Sequence, residues 1–329
     1  MNFIMRLFYI FLISCVMALW VNNSSLLAVQ PSKDATKLIA HRGVHQVYEN
    51  VDRSNDLCRA KHIGRIEHDF VENTLPSIQA AFSFGADVVE IDVHRTVDDV
   101  FVVFHDWTLD CQTNGTGVTH KQTYDDIASL DAGFGFTDDG RTYPFRGRGS
   151  VIPRIEDILS ADLDGQLLIN FKSNRSRDGE LILPLLKDKP IWGVYGGAKP
   201  TRAAHSIDPD LLTMDRPSLI KCWVRYMALG WTGYVPEACR DRWVGVPINY
   251  ANLLWGWPNR LTDRMGRHGT KVVIWGPYDG SGFSSGINTI ENLDKVPSPI
   301  DAYIWTDKIE VIGPIVKGDI PSRSQLRLE

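Results

Sequence analysis

The stretch DVVEIDV, residues 87–93, is apolar at Val89, Ile91 and Val93 and acidic at Glu90 and Asp92. Side chains alternate along a strand, so the two carboxylates fall on one face and the branched residues on the other. A strand with an apolar face toward helices and a second face that is not solvent belongs to a covered parallel sheet. Apolar runs of this kind recur at 37–43 (KLIAHRG), 166–172 (QLLINFK), 190–195, 211–214, 243–248, 271–275 (KVVIW) and 302–306 (AYIWT). Segments such as 75–84, 155–161 and 219–229 read as helices between them. Eight runs joined by helical crossovers predict an α/β fold, a (β/α)8 TIM barrel over residues 37–315, with a C-terminal tail at 316–329. The alternative, an open doubly wound sheet, lacks the Gly-rich loop after its first strand.

A ninth run, 100–105 (VFVVFH), lies too near Asp92 to be the next parallel strand, because a parallel crossover needs a dozen residues or more. With Asp98-Asp99 as a tight turn, it folds back as a hairpin and sets His105 opposite Asp92. Two long insertions follow the first two barrel strands: 44–71, rich in charge, and 107–154, rich in Gly, Thr and Asp, with a short helix near 124–130. Loops at this end of a barrel are where substrate sites are built.

The chain has 329 residues and a formal net charge of -5, with no basic run longer than two residues, which argues against nucleic acid as a partner. Arg6 is the only charge before Lys33, and 7–21 is apolar except for Ser14, so 1–28 reads as a secretory signal cut after Ala28. The expected location is therefore periplasmic or secreted. The apolar run is short for a span of about 20 residues. An uncleaved anchor that associates the chain with a membrane, or a lipoprotein signal at Cys15, are the alternatives. Removing Cys15 leaves Cys58, Cys111, Cys222 and Cys239, an even number suited to an oxidising compartment. Of the three pairings, Cys58–Cys111 and Cys222–Cys239 are favoured, the first because both cysteines lie in loops at one end of the barrel; buried free thiols are the alternative.

The chemistry gathers around the acidic pair. Glu90 and Asp92, pointed into the barrel, repel each other and lose hydration, so they need a cation or a shared proton. Oxygen ligands suit Mg²⁺ or Ca²⁺; the plainer reading is a salt bridge to Arg or Lys. His41 ends the first strand and His105 returns to the same rim, and two histidines can divide general acid and general base roles. Arg42 can fork onto a phosphate, or pair with Glu72 or Asp69. On the third strand Asn170 can offer a carbonyl to a metal, and Lys172, on the same face, can neutralise a phosphoryl oxygen. Trp275 and Trp305 end late strands, as an apolar wall for a leaving group or as core.

These pieces resemble the glycerophosphodiester phosphodiesterase family. The resemblance rests on LIAHRG (38–43), ENTLPSIQAAFSFGADVVEIDV (72–93), TVDDVFVVFHDWTLDCQTNGTG (96–117), LLINFK (167–172), KVVIW (271–275) and AYIWTD (302–307). It implies metal-dependent hydrolysis of a small phosphodiester to glycerol phosphate and an alcohol. His41 and His105 would be catalytic, and Glu90 and Asp92 would bind a divalent cation. Asn170 stands where the family usually has a glutamate ligand, while Arg42, Glu72 and Lys172 would serve the phosphate and metal surroundings. The long gap between His41 and Glu72, and Cys111 in place of a common arginine, are further departures. A lysophospholipase D-like enzyme and a catalytically weak binding protein are the competing readings.

Overall fold

The computed structural model describes residues 3–48, 58–280 and 285–318. The eight predicted runs form strands β1 (Lys37–His41), β2 (Val88–Arg95), β4 (Gln166–Phe171), β5 (Ile191–Gly196), β6 (Thr213–Asp215), β7 (Trp243–Pro247), β8 (Lys271–Trp275) and β9 (Tyr303–Thr306). They pair in parallel in the order β6-β5-β4-β2-β1-β9-β8-β7, a nearly closed TIM barrel. The unpaired seam lies between β6 and β7. At that seam the short β6 gives way at once to a helix capped by Asp215, whose side chain accepts from Ser218 N.

The helices are α1 (Phe3–Asn23), α2 (Leu75–Ser83), α3 (Tyr124–Ala128), α4 (Ile155–Leu159), α5 (Ser176–Leu186), α6 (Ala198–Ile207), α7 (Arg216–Leu229), α8 (Asn259–Gly266), α9 (Ile290–Leu293) and α10 (Ile309–Lys317). Val89, Ile91 and Val93 join the core between sheet and helices. The barrel interior takes one residue from each parallel strand: Ile39, Val88, Leu168, Trp192, Met214, Trp243, Val273 and Trp305. Val88 therefore faces inward, and by alternation so do Glu90 and Asp92. Trp305 is part of this filling, which answers one of the two questions about the late tryptophans.

Strand β3 (Phe101–Val103) is the antiparallel return from β2. The register pairs Val93 with Val103 and Arg95 with Phe101, and Phe104 N donates to Asp92 O at 3.0 Å. Asp92 thus faces Phe104, one residue short of the expected His105. The turn has three residues rather than two: Thr96 N donates to Val100 O, with Asp99 in the left-handed region at φ 64°.

The two insertions are one lobe. Ala60, Ile63 and Val71 from the first pack with Leu109, Ile127, Phe136 and Phe145 from the second, around Val102 and Phe104 of the hairpin. The Cys58–Cys111 disulfide staples them, and Cys222–Cys239 ties α7 to the loop before β7, as favoured from sequence. Residues 49–57 of the first insertion and 319–329 of the predicted tail lie outside the described residues.

Helix α1 is longer than the sequence reading allowed, because Phe3 to Met5 extend the apolar run on the far side of Arg6. Residues 4–23 have the length and composition to cross a bilayer, as signal sequences near an N-terminus also do. The chain after it is fastened to the barrel. Asn22 and Asn23 donate to Trp231 O, and Ser25 Oγ donates to Gly256 O. The buried Arg264 donates to Asn22 O at 2.6 Å and Asn23 Oδ1 at 3.1 Å.

Candidate active site

The site is built at the C-terminal mouth of the barrel from residues at the ends of β1, β2, β3, β4, β5 and β9. β2 supplies Glu90 and Asp92, both fully buried. β1 ends in His41, and the next two residues carry positive φ, 59° at Arg42 and 79° at Gly43. This bend aims the Arg42 amide at Glu90 Oε2, 3.1 Å away, and folds its guanidinium back over the acids. Nε lies 3.2 Å from Asp92 Oδ2 and Nη1 donates to Glu72 Oε1 at 3.2 Å. Glu72 in turn accepts from Tyr48 OH at 2.5 Å. Arg42 therefore holds the acids together, Glu72 included; Asp69 pairs instead with Arg148 at the surface.

Gly43 allows this bend. A Cβ there would sit 2.2 Å from Ser77 Oγ and 2.9 Å from the Ser77 backbone. Ser77 Oγ itself donates to Arg42 O and Val44 O. Gly43→Ala is expected to cost about 2–4 kcal/mol, from backbone strain plus overpacking. The check is a lower urea midpoint at unchanged m.

Asp92 is the most heavily tied group. Oδ2 accepts from Asn73 Nδ2 at 3.1 Å, while the Asp92 amide donates to Asn73 Oδ1 at 3.0 Å. Oδ1 accepts from Asn170 Nδ2 at 2.8 Å and lies 3.6 Å from Lys172 Nζ. Burial alone would raise its pKa, but Lys172 and Arg42 win and hold it down at about 2. Glu90 goes the other way. It accepts from Tyr195 OH at 2.7 Å, yet burial and the Asp92 charge push it up to about 8. Arg42 and Lys172 offset the charge of the pair, yet the raised Glu90 marks two buried carboxylates that repel each other, and their oxygens suit a hard divalent cation such as Mg²⁺ or Ca²⁺. Asn170 stands beside them with its amide nitrogen, not its carbonyl, turned to Asp92.

Each histidine leans on a carboxylate. His41 Nδ1 lies 2.6 Å from Asp307 Oδ1, and Arg42 Nε donates to His41 Nε2 at 3.2 Å. Together these contacts place the ring proton on Nδ1 and leave Nε2 as the acceptor. Burial and the Arg42 charge depress His41 to about 4, so it is neutral at physiological pH. Nε2 sits 3.9 Å from Glu90 Oε2. His105 Nδ1 lies 2.8 Å from Asp106 Oδ1, and burial together with Arg42 and Lys172 also keeps this ring neutral. A further cluster of possible metal ligands, His41, His45 and Asp307, has its ligand atoms within 4.8 Å of one another.

The acid pair, both histidines, Arg42, Asn170 and Lys172 are thus gathered at one mouth. Trp275 stands apart from them: with Tyr195, Met214 and Trp223 it lines an apolar pocket of about 480 Å³ at the β6–β7 seam. The residues that sequence reading passed over are Asp106, Asp307, Asn73 and Tyr195. Asp106 and Asn73 adjoin His105 and Glu72, and Asp307 ends the stretch AYIWTD two residues after Trp305. Tyr195 had no signal beyond its position at the end of a weakly marked strand.

Fold and mouth together define a TIM-barrel protein with an acidic pair flanked by two histidine–carboxylate couples. Residues 41–181 match the model of the glycerophosphoryl diester phosphodiesterase family. The chain is 32% identical over 123 residues to a glycerophosphodiester phosphodiesterase of Caldanaerobacter subterraneus subsp. tengcongensis, covering 37% of this chain and 46% of that protein. It is 36% identical over 92 residues to one from Bacillus subtilis, covering 27% and 30% of the two chains. The matches thus span less than half of these curated relatives.

In fold, the chain is similar to the glycerophosphoryl diester phosphodiesterase domain of a Mycobacterium tuberculosis protein (TM-score 0.60, 20% identity, 85% of this chain and 98% of that one). It is also similar to an Oleispira antarctica phosphodiesterase solved with its product sn-glycerol-3-phosphate (TM-score 0.54, 18% identity, 87% and 97% covered).

Proposed function

We propose that this protein hydrolyses glycerophosphodiesters to glycerol phosphate and an alcohol. The observation that carries the proposal is the pair of neutral histidines, each hydrogen-bonded through Nδ1 to a carboxylate, beside a buried acidic pair. A carboxylate at Nδ1 orients the ring and stabilises the imidazolium that forms when Nε2 takes a proton. One histidine takes the proton of the attacking hydroxyl at Nε2; the other acts as acid once its own Nε2 has been protonated beside the bound phosphate anion, and gives that proton to the leaving oxygen. Arg42 and Lys172, beside the acids, would offset the charge that develops on a phosphoryl group. Glu90 and Asp92 would hold the divalent cation, which Asn170 would join by turning its carbonyl to where its nitrogen now meets Asp92; when bound, the cation polarises the phosphoryl group. The test is release of glycerol phosphate from glycerophosphocholine with and without a chelator; undiminished turnover in the chelator would sink the metal-dependent reading.

The pocket at the β6–β7 seam favours a second reading, in which the substrate is a lysophospholipid whose acyl chain, on the side that keeps the phosphate, lies in this pocket while the head-group alcohol leaves. Its wall runs from Tyr195, which touches Glu90, outward through Trp275 and Trp223 to Ile220. Trp275→Ala is then expected to raise KM for lysophosphatidylcholine several-fold and leave that for glycerophosphocholine unchanged. Choline release measured on both substrates decides between the readings, and equal effects on both would remove the pocket from substrate binding.

A further inference from the structure

Helix α7 exposes an apolar stripe that packing does not require. Ile220, Val224, Met227 and, just beyond the helix, Trp231 are all exposed. Their spacing of i, i+4, i+7 and i+11 puts them on one helical face. Lys221 and Arg225 are exposed along one border, and residues 216–236 contain no Asp or Glu. The stripe continues beyond the helix. Exposed Trp255 donates its indole N–H to Met227 O at 2.9 Å, and exposed Leu253 lies two residues before it.

The foot of α1 arrives at this same place. Asn22 and Asn23 donate to Trp231 O, and Leu19 and Trp20 share a cavity of about 600 Å³ with Trp255. Above this foot the apolar residues of α1 are exposed, and their surface is continuous with the stripe.

We propose that this face of the barrel lies on a lipid bilayer bearing anionic headgroups, the bilayer that α1 enters. An exposed apolar helix face with a basic border and indole rings at its end has the composition of an interfacial surface. Each lysine or arginine near an anionic surface adds attraction that zwitterionic lipid does not supply. A bilayer on this face would also cover apolar area of a kind that soluble monomers seldom leave open. Ile220 and Val224 belong to both the stripe and the wall of the seam pocket, so the outer end of that pocket meets the membrane surface.

The experiment uses the full chain with Cys15→Ser, since the other four cysteines are in disulfides. An environment-sensitive fluorophore is placed at Met227→Cys or, as a control, at Gln79→Cys, exposed on α2 at the far side of the barrel. The labelled protein is reconstituted into phosphatidylcholine vesicles with or without phosphatidylglycerol, carrying a spin-labelled lipid as quencher. Quenching and a blue shift at 227 but not at 79, stronger with phosphatidylglycerol, are expected. Lys221→Gln and Arg225→Gln should each lower the ratio of docked to free protein roughly fivefold. An unquenched label at 227 in anchored protein would overturn the proposal. So would a blue shift that follows protein concentration in lipid-free samples, which would mark a second copy on this face. No substrate is present, so the outcome is independent of the catalytic reading.

Discussion

His41→Ala is expected to lower glycerol phosphate release by roughly 10²–10⁴-fold, the usual contribution of a positioned acid or base. Asp307→Asn should approach that loss although His41 remains. Asp307 Oδ1 faces His41 Nδ1, while Oδ2 accepts from Gly286 N at 3.0 Å and Asn288 Nδ2 at 2.7 Å. An asparagine there must keep its carbonyl oxygen toward those two donors, because an amide NH₂ would oppose them. Its nitrogen then points at His41 Nδ1 and donates to it, which forces the ring proton onto Nε2 and removes the base. A histidine held in the wrong tautomer costs up to about 10⁴-fold. Unchanged thermal stability with kcat reduced and KM little changed would separate this from a folding defect. Near-normal turnover in Asp307→Asn would dismiss the couple as a catalytic device.

The acidic pair was legible because a period of two is a strong local signal and because the alternating Val89, Ile91 and Val93 had to face the helices. The return of β3 was legible for the same reason, since a short gap forbids a parallel crossover. Its register was not, because two adjacent aspartates do not say whether the loop has two or three residues. That depends on Asp99 adopting a left-handed conformation.

Asp106 and Asp307 were hidden in another way. Asp106 directly follows His105 and Asp307 lies two residues after Trp305; the predicted closure sets β9 beside β1, but it does not say which side chains at the two strand ends meet. The same holds for the lobe, whose halves are separated by the acidic strand and meet only through long-range packing stapled by Cys58–Cys111. What distant strands contribute to a barrel mouth follows from closure, and closure is a property of all eight strands together.

Asn170→Glu is the second large expected effect, and it tests the cation through stability as well as rate. In the present chain Asp92 Oδ1 accepts from the Asn170 amide and is flanked by Lys172, so the metal-free protein tolerates its two acids. A glutamate at 170 removes that donor and adds a third carboxylate. It cannot retreat toward β5, because Asn170 Oδ1 already lies against Gly196, where even a Cβ would come within 2.4 Å. Without a divalent cation the variant should therefore be less stable than the present chain, by about 1–3 kcal/mol for the lost hydrogen bond alone.

With cation the order should reverse. The added anionic oxygen ligand should tighten binding, by roughly ten- to a hundredfold. The expected result is a larger drop in Tm on chelation for Asn170→Glu than for the unaltered chain, with half-maximal activity at lower Mg²⁺ or Ca²⁺. If neither Tm nor activity responds differently to the chelator, Glu90 and Asp92 do not hold a cation with residue 170. The charge balance at the barrel mouth would then rest on Arg42 and Lys172 alone.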